Sequence, residues 1–226
     1  MCIRDSAWAV REASGISEGD KLLTFSKIRA ASQIMANLPY VKGVRIGIKL
    51  PDTVNIMIEE ESVVYAIKSS DGQWWMMDSD GRVVEQANNA KAATATQVLG
   101  VTLEAPTVNE KGVATEMTPS ETNELGELIP VTTTGAQRLT AALQILKALE
   151  NNDIVGEAAS VDVTSTEDII LWYGARYQVN LGDTSRLDYK VDCMNDAILQ
   201  MSDYQSGVLD ISFTIWPNQV GYTPFA

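Results

Sequence analysis

The amino-acid sequence predicts an α+β protein in two parts. Residues 1–61 form a small helix–helix–strand–strand unit, and residues 62–226 form a mostly antiparallel β domain with two helices. Three observations predict this. Ile28, Ala31, Ile34, Met35 and Leu38 share one face at helical spacing, and two runs of strict apolar–polar alternation follow at once. Glu59-Glu60-Glu61 then interrupts the pattern, and after it short apolar runs are separated by Asp-Gly turns. Two later stripes, Leu139-Leu143-Leu146-Leu149 and Leu187-Val191-Met194-Ile198-Met201, stand out as helices in a chain otherwise read as strand.

Residues 1–6 fit nothing after them. They have neither the basic start nor the apolar centre of a signal peptide, and read as foreign to the rest. Residues 7–20 read as a helix end and a turn dense in Ser, Gly and Asp. Ser26 is placed to cap the next helix, and Pro39 stops it because proline lacks the N–H the helix needs. Val44, Ile46, Ile48 and Leu50 then alternate with Arg45, Gly47 and Lys49; Pro51-Asp52 turns the chain; Val54, Ile56 and Ile58 alternate with Asn55, Met57 and Glu59. Such a pair, covered by helices on one face, would gain from a third strand, expected before the first helix. Strands are predicted over 63–67, 74–77 and 82–84, with turns at Ser70-Asp71-Gly72 and Asp78-Ser79-Asp80-Gly81. Residues 87–97 are small and polar, and 104–130 read as an exposed acidic loop. Strands at 161–163, 169–173 and 177–181 precede the second helical stripe. The last strand is predicted over 208–215, with Leu209, Ile211, Phe213 and Ile215 on one face and Val208, Asp210, Ser212 and Thr214 on the other.

Composition narrows the function. The chain has 226 residues, 45% of them hydrophobic and 21% charged, which is enough apolar surface to fold. Acids outnumber bases 30 to 17, a net charge of −13, which argues against nucleic acid and against an anionic membrane surface. Histidine is absent, so His-based triads, His metal ligands and the usual proton shuttle are excluded. No apolar run reaches the ~20 residues of a spanning helix. Cys2 and Cys193 make neither a disulfide framework nor a closed zinc site, and Cys193 reads as a small residue at the buried edge of its helix.

No catalytic residue, metal or cofactor is predicted. Asp78 with Asp80, and Glu59 to Glu61, could hold a cation or act as acid and base, but their spacing lacks a calcium loop's ligand ladder. Turn formation and a solvated strand end explain them better. No Ser-x-x-Lys motif or phosphate-binding glycine loop occurs, and no histidine is present to activate a serine. Trp74 and Trp75, adjacent in a strand, must point to opposite faces. Phe213, Trp216, Tyr222 and Phe225 gather near the C-terminus, divided between packing and binding. A final strand is often an edge, and an edge offers unpaired N–H and C=O groups to a partner strand.

Several segments resemble one family in its order. Ser14-Gly15-Ile16 with Gly19, Leu38-Pro39-Tyr40-Val41 with Val44, and Pro51, Thr53, Val54, Ile56, Ile58 and Glu60 resemble the POTRA domain of the bacterial cell-division family FtsQ, called DivIB in Gram-positive bacteria. Asp71-Gly72-Gln73-Trp74 through Asp78, Gly81, Arg82 and Val83 resemble the opening of that family's β domain; residues 177–182, Tyr189-Lys190 and 207–212 resemble its closing strand–helix–strand. The sequence departs from the family at Glu61, where Arg is frequent, and at Val63, where Pro is. The first POTRA strand, the membrane helix and the cytoplasmic tail have no counterpart in it, as expected of a truncated sequence.

The resemblance implies a non-enzymatic divisome scaffold, anchored in the cytoplasmic membrane by a single helix and acting on its extracytoplasmic side at the septum. It implies recruitment of FtsL and of DivIC- or FtsB-type partners by strand addition at the C-terminal strand. Carried onto this sequence, the contacts are Val208, Leu209, Asp210, Ile211, Ser212, Phe213, Thr214 and Ile215, with Tyr222 as a further aromatic contact. The alternative readings are a POTRA module of a protein-transport or outer-membrane assembly system, which would carry POTRA repeats and a barrel, and a carboxylate-dependent hydrolase using Asp78 or Asp80.

Overall fold

The computed structural model describes residues 7–22, 24–60, 64–116, 133–214 and 218–225. The chain divides into two units, Met1–Val63 and Val64–Ala226. In the first, α1 (Ala7–Ser14) and α2 (Lys27–Asn37) lie against the antiparallel pair β1 (Val41–Lys49) and β2 (Thr53–Glu60). The Ser26 side chain accepts from the Arg29 N–H at 3.3 Å and starts α2; the Leu38 N–H reaches the Ile34 carbonyl at 2.9 Å, and Pro39 ends the ladder. Ile46 stands opposite Ile56 and Ile48 opposite Val54, so the alternating residues share one face, where Ile46, Ile56 and Ile58 pack on Val10, Ile34 and Val41. Arg45, Lys49, Asn55 and Met57 point the other way and are exposed. Ile16, Phe25, Val54 and Ile56 line a cleft of about 270 Å³ beside β2.

The second unit is built on one nine-stranded sheet. Its strands are β3 (Tyr65–Ser69), β4 (Trp74–Met77), β5 (Val83–Ala87), β6 (Gln97–Leu103), β7 (Ala158–Asp162), β8 (Ile169–Tyr173), β9 (Tyr177–Gly182), β10 (Gly207–Asp210) and β11 (Gly221–Pro224). They lie in the order β11-β10-β9-β8-β7-β6-β3-β4-β5. The β3–β6, β6–β7 and β9–β10 neighbours are parallel and the other five are antiparallel, so the sheet is mostly antiparallel. Parallel neighbours need a crossover, and helices supply two: α4 (Gly135–Asn151) joins β6 to β7, and α5 (Leu187–Leu199) joins β9 to β10. Right-handed crossovers put both helices on the same face. Leu139, Leu146 and Leu149 of α4 and Val191 and Met194 of α5 are buried there, the stripes read from the sequence. The one-turn helix α3 (Asn89–Ala92), capped by Asn88, fills the 87–97 segment.

Strand β6 lies in the interior of the sheet, between β7 and β3, yet it left little trace in the sequence. Gly100 interrupts its alternation with φ +81°, and a Cβ there would meet the Thr164 nitrogen at 2.2 Å. Close approach of the β7–β8 connection requires a glycine, and the glycine hides the strand.

Three readings change in detail. The described part of the acidic loop folds back on the β4–β5 hairpin: Val83 donates to the Glu110 carbonyl, Asn109 to Val83 and Gly112 to Gly81, each at 2.8 Å. Its remainder, 117–132, lies outside the described residues. The last long strand is shorter than 208–215. It ends at Asp210, whose carboxylate accepts from the Ser212 N–H at 3.0 Å and its hydroxyl at 2.7 Å, and Phe213 follows with φ +59°. Ile215 is outside the described residues. Finally, the flank of that strand expected to stand open is occupied by the chain's own β11. Asp78 and its neighbours are turn formers: Asp78 Oδ1 accepts from the N–H of Asp80 and of Arg82, and Ser79 donates to Glu150 of α4 at 2.7 Å.

Candidate docking edge at the C-terminal strand

β10 is paired on both sides, parallel to β9 and antiparallel to β11. Among the described residues, the margin of the sheet at this end is therefore β11. The phase of the pairing determines which groups it presents. The Phe225 N–H donates to the Ser206 carbonyl at 3.1 Å, so Phe225 and, by alternation, Thr223 and Gly221 turn their backbone groups toward β10. Gly207 and Ile211 of the β10 chain donate the other way, to Arg176 and Asn180, which is the same phase seen from the opposite side. Tyr222 and Pro224 consequently aim their backbone groups away from the sheet. The margin offers an N–H and a C=O at Tyr222 and a C=O alone at Pro224. Proline within a strand is tolerated only where its missing donor faces outward, and this signal for an edge was present in the sequence.

Of the predicted contact residues that are described, Tyr222 lies on this margin and the others do not. Val208, Leu209 and Asp210 lie in β10, one strand inside, with Leu209 fully buried opposite Tyr222. Phe213 packs on Tyr189 of α5 with ring centres 5.6 Å apart, and the Arg186 guanidinium lies over both rings while its two Nη atoms donate to Asn218 Oδ1 at 3.1 Å. That cluster anchors the connection between β10 and β11. Thr214 ends the described stretch beyond it. Tyr222 is on β11 opposite Leu209, and its side chain reaches toward the start of β10. Its ring lies over Gly207, where a Cβ would meet Cε2 at 2.8 Å, and its hydroxyl donates to the Ser206 carbonyl at 3.1 Å. On the opposite face of the sheet Phe225 stacks on Trp172 of β8, ring centres 6.2 Å apart, and both remain partly exposed. The sequence analysis names Phe225 and the 207–212 segment but foresees neither the stack on Trp172 nor the close approach at Gly207.

Behind the margin the β9–α5 turn is firmly held. Lys190 is buried and donates to the Asp183 carbonyl and to Asp183 Oδ1, each at 2.8 Å. The lysine hydrogen bond, and then that of the Ser185 hydroxyl, pull the Asp183 carboxyl down from 3.8 to about 2. Among the described residues, no strand lies beyond β11 at this end of the sheet.

Fold and edge together define a class: a two-unit α+β protein whose helix–helix–strand–strand unit precedes a sheet open at its last strand. Comparison with known proteins gives the family. Residues 6–61 match the family model described as the POTRA domain, FtsQ-type. Over 208 residues the chain is 24% identical to the cell division protein DivIB of Clostridium tetani, covering 91% of this chain and 70% of that protein. It is 29% identical to DivIB of Clostridium acetobutylicum over 92 residues, 41% of this chain and 36% of that protein. It is 35% identical to the cell division protein FtsQ of Corynebacterium glutamicum over 75 residues, 33% of each. The match to the FtsQ-type POTRA model and the similarity to DivIB and FtsQ proteins support an FtsQ/DivIB family member. Homology to proteins named for cell division supports a cell-division scaffold role. Among the described residues no helix is long and apolar enough to cross a membrane.

Proposed function

We propose that this region stands on the extracytoplasmic side of the septal membrane, recruits FtsL and DivIC- or FtsB-type proteins, and does so by accepting a partner strand at β11. The observation that carries this reading is the outward-facing N–H and C=O of Tyr222 on a strand with no neighbour beyond it among the described residues. Backbone pairing there would extend the sheet by a tenth strand. The partner would meet β11 itself, and the 208–215 segment would act from behind it by holding β11 in place.

The experiment is binding of the extracytoplasmic segments of FtsL and DivIC to the purified chain, measured by calorimetry, with Tyr222→Pro as the variant. Proline removes the outward donor of the margin while the donors facing β10 remain. The reading predicts at least about a tenfold loss of affinity, a change of about 1.4 kcal/mol. Unchanged affinity in a variant whose circular dichroism is that of the parent would refute strand addition at β11.

A further inference from the structure

The helix layer beside β11 carries information about what the added strand must look like. Because α5 is a right-handed crossover between β9 and β10, a viewer on the helix side sees β10 and then β11 to the right, and α4 to the left. A helical residue is displaced by about 100° from the one before it, clockwise as seen from the helix N-terminus. The stripe Leu187, Val191, Met194 and Ile198 faces the sheet. The residue after each member, Asp188, Asp192, Asn195 and Leu199, therefore turns toward β11. The residues before the last three, Lys190, Cys193 and Ala197, turn toward α4. Burial agrees: Lys190 is buried and Cys193 and Ala197 are half-buried, whereas Asp188, Asp192 and Leu199 are exposed, Leu199 by 75%. Asp196 lies one step further round toward solvent. Asp188, Asp192 and Asp196 make no ion pair with any described residue.

We infer that the strand docking on β11 is a basic one, with Lys or Arg at the alternate positions that face the helix layer. This rests on the strand-addition reading above. Tyr222 lies opposite the buried Leu209, so its side chain is on the helix face. A residue paired with Tyr222 puts its own side chain on that face, on the side toward which Asp188 and Asp192 turn, as do the residues two before and two after it. Acidic side chains there would meet unpaired carboxylates in a chain of net charge −13, and basic ones would meet complementary charge.

The test is a nuclear magnetic resonance titration of the isotope-labelled 226-residue chain with three eight-residue peptides, alternating Val-Lys, Val-Thr and Val-Glu. The inference predicts that Val-Lys binds about tenfold more tightly than Val-Glu, with shifts at the Tyr222 and Thr223 amides. The double variant Asp188→Asn, Asp192→Asn abolishes that preference. Glu104→Gln with Glu110→Gln, the same change of net charge elsewhere on the unit, retains it. Equal binding of Val-Lys and Val-Glu at β11, or a preference that survives in the Asp188/Asp192 variant, overturns the charge inference and leaves strand addition standing. If no peptide moves the β11 amides, strand addition itself fails and this inference with it.

Discussion

At Lys190 a single charged side chain holds together the segment on which the C-terminal edge depends. Its ammonium is 2% exposed and satisfied by the carbonyl and carboxylate of Asp183, whose own side chain is 57% exposed. Lys190→Ala removes both bonds and leaves the turn carbonyl without its donor. Hydrogen bonds from a charged group put the cost at about 2 kcal/mol, read as a lower urea midpoint at unchanged slope. The same pair sets a pH dependence. The Asp183 carboxyl is depressed in the folded protein, so its stabilisation is present above the ordinary value of 3.8 and is lost as pH falls toward about 2. Asp183→Asn flattens that part of the acid unfolding profile; the exposure of Asp183 keeps the difference small through solvent screening. The sequence showed Lys190 flanking an apolar stripe. It could not show the burial of the ammonium, because the satisfying carbonyl comes from a turn whose geometry only the packed sheet defines.

For the element β11, pairing depends on the absence of a side chain at Gly207. A Cβ there would lie 2.3 Å from the Thr223 carbonyl oxygen and 2.9 Å from the Pro224 Cα. Gly207→Ala therefore pushes β11 off β10, with a loss of about 1–3 kcal/mol and release of the Thr223 amide to hydrogen exchange. Gly156→Ala, whose Cβ meets nothing within 4 Å, is the neutral comparison. Persisting protection at Thr223 in the Gly207 variant would show that the close approach is not what governs β11. The end of β10 was misread for a local reason. Eight alternating residues satisfy the strand pattern, but Asp210 and Ser212 prefer the side-chain-to-backbone turn that they form. Alternation reports which face a residue would take and says nothing of where competing turn chemistry stops the ladder.

Across the whole molecule, the sequence was most informative where the physics is local. The α2 cap, the β1–β2 register and the stripes of α4 and α5 follow from spacing alone. Strand order does not. The parallel β3–β6–β7 centre and the pairing of β10 with both β9 and β11 join residues far apart in sequence, and no periodicity encodes that choice. The sequence suggested an edge at the end of the chain, and the pairing of β10 with β11 puts the last described strand one position further out. Pro224, whose missing donor fits an outward-facing strand position, is a signal that the sequence analysis does not use.

The most direct measurement is amide hydrogen exchange of this chain, free and bound to the extracytoplasmic segment of a DivIC-type partner. Strand addition at β11 predicts that the Tyr222 amide, outward-facing in the free protein, becomes strongly protected, while Thr223, already turned to β10, changes little. A stable complex in which Tyr222 exchanges as fast as in the free chain would contradict it.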